Sequence, residues 1–388
     1  MGMTRAEFIK MCTLLGIGVP VMGPSLFAHS ESEDKRPKKV IVIGAGPAGM
    51  TAAHLIKQAG VEVHVLEASD YIGGRTKINT EFTNFPLPLG AEWLHTEREV
   101  FDEIINDENV EVAIDTKPYD LEEDYALLRK KIISMEDLGF TIDQKFIGSS
   151  WFQFFETYVY PNIKEDIQFN TAVNHIDYTA DQVVVRTANS QTFTADKVVV
   201  TVPLKLLQLG AIQFNPPLPE KKQSAIDEVE VWDGCKAFIK FSNQFYPAAV
   251  VTELVPDDYG YRLYYDAAYG QKTTDNILGL ISVGPTSQAY IEMTPDQRIE
   301  YMLTELDAVF GGKASLHYID HIFQDWTQEP FAKAAYIQDF SHWRTVAKLG
   351  KPVDRKVYFA GDAYTDGRDW GSVDAAAYSA MDAVRKLL

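Results

Sequence analysis

Cysteine is scarce in this chain of 388 residues, which contains only Cys12 and Cys235. Two cysteines cannot form the network of bridges on which small disulfide-rich domains depend, and a chain of this length has room for two or three domains with cores of their own. Neither cysteine, and none of the 8 histidines, is spaced like the ligands of known metal sites. The sequence therefore predicts a multidomain globular protein without a metal site.

Positive charge is also in short supply, because 36 Lys and Arg residues face 55 Asp and Glu residues and leave a formal net charge of −19. A field of this sign repels phosphate backbones and attracts cations. Most of the charge is expected to serve solubility. The remainder disfavours nucleic acid as a partner and favours a cationic small molecule.

Long hydrophobic runs are missing except for residues 11–28, which glycines and prolines interrupt. This run falls short of the roughly 20 apolar residues that a stable membrane span needs. Basic residues precede it and the small residues Ala28 and Ser30 follow it, so residues 1–30 are predicted to be a signal peptide. The segment resembles a twin-arginine export signal in which Ala6 replaces the second arginine, and this predicts export to the periplasm. Two alternatives are open: a helix packed on the body of the protein, or a cytoplasmic protein whose signal does not function.

The clearest pattern is a strand, a glycine-rich turn, a helix and a second strand in immediate succession. Residues 38–43 form a run rich in β-branched side chains, residues 44–49 read G-A-G-P-A-G, residues 50–59 have helical character and residues 61–66 form a second strand. This order is typical of the βαβ unit that binds a dinucleotide. The glycine motif is weak by itself, and the elements around it make it specific.

Each glycine of this turn has a separate predicted task. Gly44 allows the tight turn, Gly46 lets backbone amides approach a diphosphate, and Gly49 lets the helix pack closely on the strand. Glu67 follows about 20 residues further on, where an acid accepts hydrogen bonds from the ribose hydroxyls and disfavours a 2′-phosphate.

Later segments indicate which dinucleotide binds. E-A-S-D-Y-I-G-G-R-T over 67–76 and L-G-A-E-W-L-H over 89–95 resemble segments of the flavin amine oxidases that face FAD. Further segments resemble the same family in the same order: 167–176, 197–204, 234–238, 325–336, 351–363 and 370–376. The resemblance extends from Val40 to Leu388 and is weakest in the middle.

This resemblance implies that FAD is the cofactor. The residues that it assigns to FAD binding are Gly44, Gly46, Ala48, Gly49, Glu67, Ala68, Gly74, Arg75, Gly90, Ala91, Glu92, Trp93, Val173, Trp326, Gly361, Asp362, Ser372, Val373 and Ala376. Where monoamine oxidases carry the cysteine that bonds covalently to FAD, this chain has Ala335, so non-covalent FAD is expected. Asp362 stands in place of the family's usual Glu, and Ser372 in place of an aromatic or Thr residue, so one wall of an aromatic cage is expected to be missing.

The resemblance also implies the chemistry. The chain is expected to oxidise primary or secondary amines or polyamines, with hydride transfer to flavin N5, hydrolysis of the imine to an aldehyde, and reduction of O2 to hydrogen peroxide. Lys236 would hold a water against N5, Tyr336 would orient the amine, and His95 would accept a proton or hold a distal amine. An L-amino-acid oxidase would be expected to place an arginine just after the pair Gly90 and Ala91, where this chain has none.

Two other classes of function are open. One is a flavin desaturase or porphyrinogen-type oxidase built on the same FAD frame, with an apolar or large planar substrate. The other is a non-catalytic flavoprotein that serves as a binding module. Activity on a panel of amines would separate all three.

The predicted fold class is α/β, with a discontinuous Rossmann-type FAD-binding domain and an inserted α+β substrate domain. The FAD-binding domain would combine 37–95, 166–235 and 345–388, and the substrate domain would combine 96–165 and 236–344. Within the second domain the predicted elements are strands over 235–241, 261–266 and 277–283 and a helix over 294–310. The aromatic residues over 151–155 are expected in the core, with a cavity wall as the alternative. The oligomeric state is left open.

Overall fold

The computed structural model describes residues 36–253, 259–338 and 341–388, and Pro37–Leu388 form one compact unit. The predicted signal peptide, residues 1–30, lies outside the described residues. Within the described residues, no helix combines the length and the apolarity needed to cross a membrane.

The strands, in chain order, are β1 Lys39–Ile43, β2 Glu62–Leu66, β3 Ile78–Asn79, β4 Leu87–Pro88, β5 Trp93–Leu94, β6 Asp115–Pro118, β7 Tyr125–Leu128, β8 Lys131–Ser134, β9 Gln144–Ile147, β10 Ile167–Gln168, β11 Val173–Asp177, β12 Val183–Thr187, β13 Thr192–Ala195, β14 Lys197–Val200, β15 Gln213–Asn215, β16 Val231–Trp232, β17 Gly234–Phe241, β18 Ala249–Val251, β19 Tyr261–Asp266, β20 Asn276–Val283, β21 Tyr318–Asp325, β22 Tyr336–Ile337 and β23 Val357–Phe359. The α-helices are α1 Pro47–Gln58, α2 Glu99–Ile105, α3 Trp151–Phe154, α4 Tyr160–Ile163, α5 Leu204–Gln208, α6 Glu220–Glu228, α7 Pro285–Ile291, α8 Pro295–Phe310, α9 Lys313–His317, α10 Trp343–Leu349 and α11 Val373–Leu387.

A parallel sheet with the strand order β10-β2-β1-β14-β23 contains the predicted βαβ unit. The valines and isoleucines of β1 and β14 are buried, as expected for central strands that are covered on both faces. Helices α1 and α11 cover one face and pack against each other through small side chains such as Ala52, Ala53 and Ala377. This close packing brings the first turns of both helices to the carboxyl edge of the sheet.

The other face of this sheet packs against a four-stranded sheet with the order β13-β12-β11-β15. The segment 167–176, for which the family resemblance implies one strand, does not form a continuous strand. The chain forms β10, turns at Asn170, whose φ is 53°, and then enters the second sheet as β11. A residue in the left-handed region cannot continue an extended strand, and asparagine adopts that region more readily than most residues.

A third sheet has seven strands in the order β21-β17-β20-β19-β18-β7-β8. The strands predicted over 235–241, 261–266 and 277–283 are confirmed as β17, β19 and β20, and the predicted helix is confirmed as α8. Thr294 caps α8, because its side chain accepts a hydrogen bond from the Gln297 backbone and the Gln297 side chain bonds back to the cap. Strand β7 pairs with β18, so both segments predicted for the substrate domain contribute to one sheet.

The aromatic run at residues 151–155 lies in the core. Trp151, Phe154 and Phe155 are fully buried, and they pack with Phe101 of α2 in the hydrophobic layer beneath the parallel sheet. The expectation that these residues build the core is therefore confirmed.

Candidate active site

A cavity of about 830 Å³ brings together nearly all of the residues that the sequence assigned to a site. Its walls come from the carboxyl ends of β1, β2 and β14 on one side and from β17, β19 and β20 on the other. Every predicted cofactor-binding and catalytic residue lines it except Gly49. The carboxyl edge of a parallel sheet is where doubly wound folds bind their ligands.

The glycine-rich turn leaves open space at one end of this cavity. Gly44 has a φ of +107°, and a Cβ there would lie 2.7 Å from Thr201 Oγ1, so both its conformation and its surroundings require glycine. A Cβ on Gly46 would meet no atom within 4 Å, and Gly46 lines the cavity. Gly49 lies outside the cavity lining, and its Cβ would collide with the Gly44 carbonyl oxygen at 2.0 Å. Gly49 therefore has the packing position predicted for it.

Glu67 follows β2 directly, beside the glycine turn. Its Oε2 accepts a hydrogen bond from the Ala45 backbone nitrogen at 2.6 Å, and its Oε1 accepts bonds from the backbone nitrogen and Oγ of Ser69 at 2.8 and 2.6 Å. These bonds fix the carboxylate at the wall of the cavity. A carboxylate oxygen can accept two hydrogen bonds, so Oε2 has a lone pair left for a ribose hydroxyl.

These features fit FAD. The first turn of α1 contains no acidic residue and begins at Gly46, so its free backbone amides and the positive end of the helix dipole can receive a diphosphate. A phosphate would fit in the space beside Gly46. Glu67 lies next to that space, where it can accept hydrogen bonds from the ribose. Val173, at the start of β11, lines the same region of the chain's cavity.

Arg75 makes contacts that the sequence did not predict. Its guanidinium donates to both carboxylate oxygens of Asp362, at 3.0 and 2.5 Å, and to the Ala335 carbonyl oxygen at 2.5 Å. This bidentate pair links the segment after β2 to the segment after β23 across the cavity. The two residues were predicted as separate contacts to FAD, and the structure joins them in one ion pair on the cavity wall.

The C-terminal segment presents a helix end to the cavity. Ser372 caps α11 by accepting a hydrogen bond from the Ala375 backbone nitrogen at 3.1 Å, and Val373 and Ala376 line the cavity. Serine at this position is therefore an ordinary helix cap. Trp326 lies opposite, with its indole nitrogen donating to the Leu89 carbonyl oxygen at 2.9 Å.

Lys236 lies on β17 with its side chain 2% exposed. Its ammonium donates to the Glu92 carboxylate at 2.5 Å, to the Pro88 carbonyl oxygen at 2.7 Å and to the Gly90 carbonyl oxygen at 3.2 Å. Burial lowers the pKa of Lys236 to about 8, although the charge of Glu92 opposes this shift. The lysine thus lines the cavity, with hydrogen-bond partners that the sequence did not indicate.

Glu92 belongs to the same buried group. Its Oε1 forms an ion pair with Lys145 of β9. Its Oε2, which accepts from Lys236, also accepts a hydrogen bond from the Tyr265 hydroxyl at 2.8 Å. Burial alone would raise the pKa of Glu92, but the charges and hydrogen bonds of Lys145 and Lys236 outweigh burial and hold the pKa below its usual value. The side chain that was predicted to bind FAD is therefore fully engaged by protein groups.

Tyr336 has an aromatic partner that the sequence did not indicate. Its hydroxyl donates to the hydroxyl of Tyr261 at 3.2 Å, and both rings line the cavity. Tyr261 is the first residue of β19. The family resemblance implied the second aromatic residue at the position of Ser372. Trp93 adds a third ring, with its indole nitrogen donating to the hydroxyl of Tyr119 at 3.1 Å.

His95 lines the cavity and pairs with Asp143, with 2.6 Å between Nδ1 and the carboxylate. Burial disfavours the charged ring, but the hydrogen bond and charge of Asp143, with Asp374 and Asp369 nearby, outweigh burial and raise the pKa of His95. The position of His95 thus agrees with a residue that exchanges a proton or contacts an amine.

Comparison with known proteins shows two family matches. A family model described as flavin containing amine oxidoreductase matches residues 157–388, and one described as NAD(P)-binding Rossmann-like domain matches residues 42–106. Both matched segments contribute residues that line the cavity.

Individual relatives agree with these matches. The chain is 26% identical to lysine-specific histone demethylase 1B of Mus musculus, over 84% of this chain and 50% of that protein, so it spans about half of that relative's length. It is 24% identical to probable polyamine oxidase 4 of Arabidopsis thaliana, over 84% of this chain and 82% of that protein. A solved structure of wild-type putrescine oxidase bound to putrescine has the same fold, with a TM-score of 0.70 and 16% identity over 90% of this chain and 98% of that one.

Proposed function

Because the chain belongs to the flavin-containing amine oxidoreductases, we propose that it is a FAD-dependent oxidase whose substrates are primary or secondary amines, with diamines and polyamines preferred. The products would be an aldehyde together with ammonia or the remaining amine, from hydrolysis of the imine, and hydrogen peroxide, from reduction of O2. The observation that carries this proposal is the charge of the cavity wall.

Among the described residues that line the cavity, the arginine and lysine side chains are Arg75 and Lys236. Each is paired with a carboxylate, Arg75 with Asp362 and Lys236 with Glu92. The acidic residues that line the cavity are Glu67, Asp70, Glu92, Glu329 and Asp362. A substrate carboxylate entering this site would meet no uncommitted cation to offset its desolvation, whereas an ammonium would be attracted.

A carboxylate clamp from elsewhere is also disfavoured. Arg262 and Arg344 do not line the cavity, and Arg262 is buried against Glu305 at 2.8 Å and Glu253 at 3.1 Å. This arrangement supports amines that lack a carboxylate as the substrates.

FAD, when bound, would supply the redox step by accepting hydride from the carbon next to the amine nitrogen. The chain's own residues would position that carbon. The rings of Tyr336, Tyr261 and Trp93 would flank the amine, and aromatic faces also attract an ammonium. Asp143 holds His95 through Nδ1, so His95 would exchange a proton with the amine through Nε2.

The test is a hydrogen peroxide assay on the full chain loaded with FAD, using putrescine, spermidine, an arylethylamine and L-amino acids. Butylamine is the matched control for putrescine because it lacks only the distal amine. We expect kcat/KM to be higher for putrescine than for butylamine at low salt. The difference should shrink as salt shortens the Debye length to roughly 10 Å at 0.1 M.

Efficient oxidation of L-amino acids with no activity on the amines would refute the proposed substrate class. A flavin that stays oxidised with every amine would instead indicate the non-catalytic flavoprotein. Replacing Tyr336 by alanine should lower amine oxidation without release of FAD, since the ring lies at the cavity wall and not at the glycine turn.

A further inference from the structure

Three ionisable side chains, Lys145, Glu92 and Lys236, lie in a row at the cavity wall. Glu92 is shared by two lysines, because Oε1 pairs with Lys145 and Oε2 pairs with Lys236. All three side chains are 2% exposed. The three groups together carry one net positive charge and are shielded from water. Lys236 and Glu92 line the cavity, and Lys145 does not.

The geometry gives Lys236 no spare donor. An ammonium has three N–H groups, and those of Lys236 go to Glu92, Pro88 and Gly90. The rings of Trp93, Phe238 and Tyr265 surround it at 5.9, 5.1 and 5.4 Å. The proton of Lys236 is therefore held by protein groups rather than by solvent.

Other titratable groups face this row from the neighbouring elements. Tyr265 of β19 donates to Glu92, and burial and the charge of Glu92 raise its pKa far above the usual value, so it stays neutral. Tyr119 bonds to Trp93, and burial likewise raises its pKa. Asp266 also ends β19, where burial raises its pKa to about 6 while Lys145 opposes the shift. Lys145 thus interacts with two carboxylates, and Lys236 with one.

We propose that Glu92 and Lys145 are positioning residues for Lys236, and that the sharing of one carboxylate between the two lysines sets the pH range in which Lys236 carries its proton during amine oxidation. This inference rests on the proposed function and on the role beside flavin N5 that the family resemblance implies for Lys236. It assigns to Lys145, which does not line the cavity, an effect on the reaction through Glu92.

The two positioning residues have opposite effects on Lys236. Lys145→Met removes a like charge, so the Glu92 carboxylate serves Lys236 alone and the pKa of Lys236 rises. Glu92→Gln removes the opposite charge and leaves two buried lysines together, so the pKa of Lys236 falls. An adjacent opposite charge shifts a pKa by roughly one to three units, and the like charge of Lys145 is the smallest of the effects on the pKa of Lys236.

The experiment measures the pH dependence of amine oxidation and of the flavin absorbance spectrum in the FAD-loaded full chain. The midpoint of each pH profile should move up in Lys145→Met and down, by about one unit or more, in Glu92→Gln. Lys145→Arg should keep the original midpoint because it keeps the charge. Lys240→Met is the matched control, since Lys240 also lies on β17 but pairs with Asp275 at the surface. Its midpoint should not move.

A second measurement does not depend on turnover. Burial holds the pKa of Lys236 at about 8, below the reference value of 10.5, so the unfolded chain binds more protons between these values and stability rises with pH across that window. The rise in the thermal unfolding temperature of the holoenzyme should be smaller in Lys145→Met. If Glu92→Gln does not fold, Lys145→Met against Lys145→Arg still decides the question.

Midpoints that move in the same direction in Lys145→Met and Glu92→Gln, or a Lys145→Met midpoint equal to that of Lys145→Arg, would overturn the inference. If the spectral and unfolding midpoints of the variants move as expected but no amine is oxidised, the proposed function fails and the coupling of the three groups stands.

Discussion

Replacing Gly46 by valine should remove FAD binding and leave the fold intact. Gly46 caps α1 with φ of −76° and ψ of −179°, a conformation open to any residue. A Cβ there meets no protein atom within 4 Å. Valine is a poorer helix cap than glycine, which destabilises the fold, but it also restricts the unfolded chain, which stabilises the fold. The free energy of unfolding without FAD should therefore change by no more than about 1 kcal/mol.

The same side chain would occupy the space assigned to the diphosphate. Blocking two charge-assisted hydrogen bonds from the α1 amides costs about 3–6 kcal/mol, which is a roughly hundred- to ten-thousand-fold increase in the Kd of FAD. Flavin fluorescence titration measures the Kd, and urea unfolding measures stability. Gly44→Val is the contrasting variant, because the φ of +107° and the contact with Thr201 should lower stability by about 1–3 kcal/mol.

A Gly46→Val protein that binds FAD as tightly as the wild type would refute the assignment of the glycine turn to the diphosphate. Loss of stability equal to that of Gly44→Val would show instead that Gly46 is required by the fold.

Three further predictions concern the cofactor, the lysine and the N-terminus. Acid precipitation should release free FAD into the supernatant, because Ala335 cannot form a thioether; flavin absorbance that stays with the pellet would contradict this. Lys236→Met should keep FAD bound but slow flavin reduction or reoxidation about ten- to ten-thousand-fold in stopped-flow measurements, and unchanged rates would make the lysine structural only. Residues 1–30 fused to a reporter should direct it to the periplasm, and Ala6→Arg should raise that fraction in cell fractionation; a reporter retained in the cytoplasm in both forms would exclude a signal.

The βαβ unit could be predicted from the sequence because its determinants are local. Gly44 needs a positive φ, β1 and β2 are runs of β-branched and apolar residues, and Gly49 lets α1 approach the turn. The bounds of α8 were predictable for the same reason, since the capping box at Thr294 is complete within four residues. In each case the residues that decide the conformation lie within one turn or one strand of each other.

The break near Asn170 was not predicted because the residues on both sides suit a strand. Ile167 and Val173 are both compatible with extended structure, and the chain changes sheets between them. What decides the break is tertiary: the Asn170 backbone nitrogen bonds to the Ser69 carbonyl oxygen and that of Thr171 bonds to the Glu67 carbonyl oxygen. Those bonds hold the turn at the end of β2, beside the cavity.

The site residues were predictable one by one, but their pairings were not. Arg75 and Asp362 are 287 residues apart, and Glu92 and Lys236 are 144 apart, so no local pattern connects them. Lys145 joins the group because β9 pairs with β5 and sets Lys145 opposite Trp93, next to Glu92. A lysine in a short strand is ordinarily assigned to the surface. The Glu92 carboxylate makes its burial tolerable, but the resemblance assigns Glu92 to the cofactor, so the pairing depends on a tertiary contact that no local pattern shows.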